Sequence, residues 1–109
     1  MDRLKKLMQF HQEAPNDNFI LFALAKEYEK RGEDDQALLH YERLLHLNEN
    51  YLGLYYHLGK LWERRNDPAR AFATYTKGME VARTSGDQHA FSELAGARLI
   101  LGDEEDFDL

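Results

Sequence analysis

The stretch that decides the fold is LFALAKEYEKRGEDDQALLHYERL at residues 21–44, which returns as YYHLGKLWERRNDPARAFATYTKG at residues 55–78. Corresponding positions lie 34 residues apart, and a period of this length is typical of stacked helical units. Such units bury their apolar faces against neighbouring units and leave an outer surface for a partner. The identical pairs are Leu24 and Leu58, Lys26 and Lys60, Glu29 and Glu63, Arg31 and Arg65, Ala37 and Ala71, and Tyr41 and Tyr75.

Apolar residues recur at three-and-four spacing along the whole chain, and glycine, proline, asparagine or aspartate separates the segments. This pattern predicts an all-α protein of about six helices without strands. Gly32 is the expected left-handed end of the second helix, and Pro68 suits the first turn of the fifth. The predicted helices cover residues 2–14, Asn16 or Asp17 to Gly32, a segment beginning after Asp34 or Asp35 and ending at Leu47, about 51–65, Asp67 to about Thr84, and Asp87 to Gly102.

Both copies share a set of large and small residues that resembles the tetratricopeptide repeat family. The small residues allow two helices to approach closely, and the aromatic residues fill the space between successive pairs. The resemblance implies a right-handed superhelix of stacked antiparallel helix pairs, used as a protein or peptide interaction module. The shared set is Leu21, Leu24, Ala25, Tyr28, Gly32, Ala37 and Tyr41 in the first copy, and Tyr55, Leu58, Gly59, Trp62, Asn66, Ala71 and Tyr75 in the second.

The same resemblance implies how the chain is organised. One departure from the family pattern is that Leu44 and Gly78 stand where it usually has a second alanine. Gly78 is expected to weaken its helix by about 1 kcal/mol relative to alanine. The predicted parts are an N-terminal capping half-repeat at 1–15, repeat 1 at 16–50, repeat 2 at 51–85, a C-terminal capping helix at 86–102 and an acidic tail at 103–109.

In this family the first helix of each pair lines the concave face, which nominates candidate binding residues. Lysines suit the carboxylates of an extended peptide, and flat aromatic rings suit an apolar anchor. The predicted partner is therefore an acidic peptide with an aromatic or aliphatic anchor. The candidates are Phe19, Phe22, Lys26 and Lys30 in repeat 1 and Tyr56, Lys60 and Arg64 in repeat 2, with Glu29, Gly53 and Glu63 on the same face.

This face has two other interpretations. Its charged residues can form a solvated helix surface with ion pairs three or four positions apart. A receptor for chaperone carboxyl termini, as found in one branch of the family, is disfavoured. Lys26 is a candidate for that branch's lysine, but the asparagines are absent, His57 stands near an expected asparagine, and a third repeat is missing.

The segment from Gly102 to Leu109 contains five of the chain's twenty acidic residues together with Phe107 and Leu109. Its composition predicts a solvated tail. A sharper hypothesis is that Phe107, Leu109 and the terminal carboxylate mimic a ligand and dock on Lys26, Lys60 and Tyr56 of the same or a neighbouring chain.

Composition disfavours several other functions. The formal charge of −6 includes no basic stripe, so nucleic acid is not an expected partner. The chain has no cysteine, no apolar run of about twenty residues and no signal-peptide block, which predicts a cytoplasmic protein without membrane contact. No catalytic or cofactor-binding motif occurs, and neither enzyme activity nor a cofactor is predicted. No metal is predicted, since no histidine pair has ligand spacing among His11, His40, His46, His57 and His89.

Two alternative functions remain open. The first is self-assembly, or assembly into a larger complex, through apolar residues of the end helices. The second is regulation of a partner enzyme by the acidic tail. Trp62 and the tyrosines at 51, 55 and 56 are interpreted mainly as packing residues, with Tyr56 as the one groove candidate. The end-helix residues proposed for assembly are Leu4, Leu7, Phe10, Ile100 and Leu101.

Overall fold

The computed structural model describes residues 2–107, and within that range the chain is helical without strands. The all-helical prediction is confirmed. A short seventh helix lies in the segment predicted as a tail, and the third helix begins at Asp34 itself, slightly earlier than predicted. In residues 2–107 the helices are α1 (Arg3–Glu13), α2 (Asn18–Lys30), α3 (Asp34–Leu47), α4 (Gly53–Arg64), α5 (Pro68–Ser85), α6 (Gln88–Leu101) and α7 (Glu104–Phe107).

Aspartate side chains cap most of the long helices. Asp17 Oδ1 accepts a hydrogen bond from the amide of Ile20 at 3.0 Å, which fixes the start of α2. Asp67 and Asp87 cap α5 and α6 in the same way. Each cap satisfies a helix amide that has no partner within the helix. The predicted capping positions at the starts of α2, α5 and α6 are therefore confirmed.

The two repeats end their first helices with the same backbone turn. Gly32 after α2 has φ +75°, and Asn66 after α4 has φ +59°. In both turns an amide reaches back five residues, from Glu33 to Tyr28 at 2.9 Å and from Asp67 to Trp62 at 3.0 Å. Gly32 and Asn66 are residue types that tolerate this left-handed conformation, so the turn is encoded at equivalent positions.

The chain divides into two compact units, Met1–Leu54 and Tyr55–Leu109. In the first unit α1 packs on α2, where Leu7, Ala23 and Leu24 form a buried cluster. A charge cluster joins the same helices at another point. The carboxylate of buried Glu27 in α2 forms ion pairs with Nε of Arg3 at 3.4 Å and with Nε of Arg31 at 3.1 Å. Burial of Glu27 is tolerated because two arginines compensate its charge.

The second unit relies on glycines for close helix packing. A β-carbon added at Gly59 of α4 would lie 2.1 Å from Cε1 of Tyr75, and one added at Gly78 of α5 would lie 2.6 Å from Cβ of Tyr55. Neither position accepts a methyl group without displacement of its neighbours. Gly78, expected from propensity alone to weaken its helix, allows α5 to approach Tyr55 and Leu94.

The acidic tail folds back at its apolar residue. Phe107 of α7 stacks on Phe72 of α5, with ring centres 4.6 Å apart and ring planes 25° apart. The expectation of a wholly solvated tail is wrong at this residue, because the ring gains apolar contact that its acidic neighbours cannot make. Within the chain Phe107 lies on Phe72 instead of on the predicted Lys26, Lys60 and Tyr56. Leu109 lies outside the described residues.

Candidate peptide-binding surface

The residues predicted on α2 surround one cavity of about 360 Å³. The spacing of α2 brings them to one side of the helix, since positions four apart are neighbours on a helix surface. Phe19 is 66% exposed, an unusually large apolar surface for a phenylalanine, and Lys26 and Lys30 are exposed as well. All four repeat 1 candidates therefore lie together. The cavity is lined by Arg3, Phe19, Phe22, Ala23, Lys26, Glu27 and Lys30.

The cavity carries a positive charge. Arg3, Lys26 and Lys30 contribute three cations, and Glu27 contributes one carboxylate that also pairs with Arg31 outside the cavity. Arg3 belongs to α1, so helix packing adds a cation that the pattern of α2 alone did not reveal. The arrangement favours an anionic ligand with an apolar group.

Aromatic residues support the floor of this cavity. Phe22 lies beside Tyr51 and Tyr41, with ring centres 5.2 Å and 6.2 Å away, and the Lys26 ammonium lies 5.1 Å from the centre of the Phe22 ring. Burial raises the pKa of Tyr51, and the negative charge of Asp17 raises it further. Tyr41, Tyr51 and Lys26 together restrict the Phe22 ring. Tyr51 was not among the predicted site residues.

The α4 candidates form a similar arrangement. The Lys60 ammonium lies 5.5 Å from the centre of the Tyr56 ring and 3.6 Å from a Glu63 carboxylate oxygen. Arg64 is exposed near the end of the helix. The Lys60–Glu63 pair matches the solvated-face interpretation, whereas the cation over the aromatic ring repeats the geometry of α2.

Glu29 and Glu63, predicted on the binding face, also have a structural role. Each accepts a hydrogen bond from the buried hydroxyl of a tyrosine twelve residues later, Tyr41 and Tyr75 respectively. Burial raises the pKa of Tyr75, and the hydrogen bond to Glu63 raises it further. Both bonds join a first helix to the second helix of the same repeat, so these glutamates hold the helix pair together.

The histidines do not assemble into a metal site among residues 2–107, where no group of three potential ligands comes together. His11 and His40 do meet, with ring centres 5.9 Å apart, and Tyr28 lies 5.3 Å from His40. Burial lowers the pKa of His11, and the positive fields of His40 and Arg43 lower it further. This cluster therefore favours neutral His11.

The packing interpretation of the remaining aromatic residues holds for Tyr55, which is 1% exposed. Trp62 is only partly buried, and the guanidinium of Arg70 covers its ring at 4.9 Å. An arginine over an indole face excludes water from an aromatic residue near the surface.

The end helices differ in what they expose. Leu7 is buried against α2 and Leu4 packs on the same cluster, so the idea that these two leucines are free for assembly is wrong. Phe10 is 44% exposed, and Leu99 and Ile100 of α6 are 75% and 83% exposed. No helix within residues 2–107 has the length and apolarity to cross a membrane.

Helices paired through matching tyrosine–glutamate bonds and closed by equivalent left-handed turns define an all-helical repeat protein. No family model matches the chain. A solved tetratricopeptide repeat domain protein from Salinibacter ruber is 43% identical, covers 81% of this chain and 89% of its own, and superimposes with a TM-score of 0.77. The chain belongs to the tetratricopeptide repeat family, as its sequence pattern predicted.

Two further comparisons extend the picture. The F-box/TPR repeat protein pof3 of Schizosaccharomyces pombe is 35% identical over 81 residues, which are 73% of this chain and 14% of pof3. The type III secretion translocator chaperone SycD of Yersinia enterocolitica shares the fold, with a TM-score of 0.84 at 10% identity over 94% of this chain and 72% of SycD. Tetratricopeptide domains of this kind are generally non-catalytic, and the fold is that of a protein–protein interaction module.

Proposed function

We propose that this protein binds an acidic peptide segment of a partner protein, without catalysis, on α2 and on α4, the first helices of its two repeats. The observation that carries the proposal is the cavity of about 360 Å³ on α2, where exposed Phe19 stands beside Lys26 and Lys30. An aromatic or aliphatic side chain would pack on Phe19 and Phe22. The carboxylates around it would pair with the lysines and Arg3.

Tyr56, Lys60 and Arg64 have the same role on α4 in this proposal. Lys60 over Tyr56 repeats the arrangement of Lys26 over Phe22, with ammonium-to-ring distances of 5.5 Å and 5.1 Å. A ligand carboxylate would compete with Glu63 for Lys60, so this second set is expected to contribute less than the first. The proposed place of binding is the cytoplasm, as the sequence analysis predicted.

The test is selection of peptides from a random displayed library on the full chain, followed by affinity measurement with the enriched peptides. We expect acidic peptides with one aromatic or aliphatic anchor. Substituting Lys26→Glu and Lys30→Glu together is expected to weaken their binding by at least about tenfold, or about 1.4 kcal/mol, because attraction becomes repulsion.

The matched control is Lys5→Glu with Lys6→Glu, which makes the same charge change at exposed positions of α1 outside the cavity. This control is expected to change affinity by less than about threefold, since only screened long-range fields are altered. Equal losses in the two double variants, or enrichment of basic peptides, would rule out the α2 site.

A second candidate function is self-assembly through α6. Leu99 and Ile100 are adjacent and 75% and 83% exposed, which is a large apolar area for a helix surface. Light scattering over a range of concentrations tests it. Self-assembly requires a mass that rises with concentration and falls after Ile100→Glu, whereas a constant monomer mass leaves peptide binding as the function.

A further inference from the structure

The chain reverses sharply between α6 and α7. Gly102 has φ +143°, and a β-carbon there would lie 2.5 Å from Oδ2 of Asp106. Asp106 Oδ2 accepts the Asp103 amide at 2.9 Å, and Asp103 Oδ1 accepts the Glu105 amide at 3.0 Å. Only glycine suits this backbone, and the two aspartates close the turn that follows. The reversal therefore directs Phe107 back towards α5.

Phe107 completes an aromatic cluster in the second unit. Its ring lies 4.6 Å from that of Phe72, which is fully buried, and Arg98 of α6 lies 5.0 Å from the centre of the Phe72 ring. Arg98 is fixed by donating to the Thr76 hydroxyl at 3.0 Å. Phe72 thus has two kinds of neighbour, a fixed cation and the ring of the tail.

The acidic residues of the tail that precede Phe107 lie at the surface. Residues 103–106 are exposed, and a cavity of about 540 Å³ is lined by Arg98 and by Asp103, Glu104 and Glu105. Phe107 is therefore the tail's apolar anchor, and the carboxylates before it lie around the same cavity as Arg98. A short segment with one anchor and few packed residues is easily released.

We propose that Phe72, with Arg98 beside it, is a binding site for an aromatic side chain within an acidic segment, and that Phe107 occupies this site in the closed form of the chain. The tail itself shows the chemistry that fits: a ring stacked on Phe72, and carboxylates around the cavity that Arg98 also lines. This site uses α5 and α6 and is separate from the one proposed on α2 and α4. An acidic aromatic peptide of a partner binds here when the tail opens.

The tether makes Phe107 a strong competitor. A linker of a few residues gives an effective concentration on the order of millimolar, so a free peptide reaches only the open fraction of the molecules. If about a tenth are open, removal of the Phe107 ring is expected to tighten peptide binding about tenfold.

The experiment is an NMR titration of the full chain with a capped peptide that has the sequence of residues 102–107. In Phe107→Ala the peptide is expected to shift signals of Phe72, Thr76 and Arg98, with a dissociation constant about tenfold lower than in the unsubstituted chain. The same peptide with alanine in place of phenylalanine should lose these shifts, which shows that the ring is the anchor.

A second variant opens the tail without removing its ring. Gly102→Ala places a β-carbon against Asp106 and should also tighten peptide binding, whereas Gly96→Ala, where a β-carbon meets open space, should leave it unchanged. The proposal is overturned if both tail variants bind the peptide no better than the unsubstituted chain. It is equally overturned if the peptide shifts signals of Phe22 and Lys26 instead of Phe72 and Arg98.

Discussion

Repeat 1 and repeat 2 keep the same polar connection but pack around it differently. In both, a glutamate of the first helix accepts the hydroxyl of a buried tyrosine, Glu29 from Tyr41 and Glu63 from Tyr75. Beside this bond repeat 1 has buried Ala25, and the equivalent residue of repeat 2 is Gly59. The comparison teaches that the hydrogen bond is the common element and that local volume is adjusted around it.

The same adjustment occurs on the second helices. Leu44 of α3 is fully buried, and its counterpart in α5 is Gly78. A β-carbon at Gly78 would meet Tyr55 at 2.6 Å and Leu94 at 2.9 Å. Repeat 1 fills this position with a large side chain, whereas repeat 2 leaves it empty so that neighbouring residues can occupy the space.

The largest effect is expected when the small residues at equivalent positions of the two repeats, Ala25 and Gly59, are exchanged. Gly59→Ala is expected to reduce the free energy of unfolding by about 2 kcal/mol, because the new methyl group would lie 2.1 Å from the buried, hydrogen-bonded Tyr75 ring. Ala25→Gly should cost about 1 kcal/mol through lost helix propensity. Urea unfolding measures both.

Gly96→Ala is the control for this exchange, since a β-carbon there meets no atom within 4 Å. It should leave stability unchanged or raise it by up to about 1 kcal/mol. If Gly59→Ala also stabilises the protein, the close approach of Tyr75 is not what requires glycine.

A smaller effect is expected when the tyrosine–glutamate hydrogen bond that both repeats share is removed. Tyr41→Phe and Tyr75→Phe should each lower the free energy of unfolding by about 1 kcal/mol, because each removes one hydrogen bond to a glutamate without changing ring packing. Urea unfolding of the single variants tests this. Unequal losses of unfolding free energy would mean that the two bonds are not equivalent. No loss in either variant would mean that the bond does not stabilise the protein.

The smallest effect is a pH dependence that belongs to the first unit. The pKa of His11 is lowered from its ordinary value of 6.5, by burial first and then by His40 and Arg43. As pH falls, the imidazole of the unfolded chain therefore takes up its proton before that of the folded chain. The contribution of His11 to the free energy of unfolding is fully present above about pH 6.5 and decreases below it. The buried Nδ1 of His11 has no hydrogen-bond partner among residues 2–107, which adds to the cost of protonation.

Thermal unfolding at pH 5.5 and 7.5 measures this dependence. His11→Asn should reduce the difference between the two midpoints, whereas His89→Asn should not, because the His89 side chain is 93% exposed. An identical pH response in the two variants would exclude His11 as the source.

The sequence predicts the features that depend on residues close to one another along a single helix. The 34-residue period and the capping aspartates indicate the helices and the family, and four-residue spacing brings Phe22, Lys26 and Lys30 to one cavity. Contacts between distant segments are less accessible. Arg3 joins the cavity only because α1 packs on α2, and Phe107 finds Phe72 only because Gly102 reverses the chain.

The tyrosine–glutamate bonds also determine which positions can be redesigned. A change at Glu29 or Glu63 would alter the pairing of two helices as well as the charge of the surface. A library intended to retarget this protein should therefore vary Phe19, Lys26 and Lys30, which contact the cavity through exposed side chains, and keep both glutamates fixed. Specificity could then be changed without loss of stability.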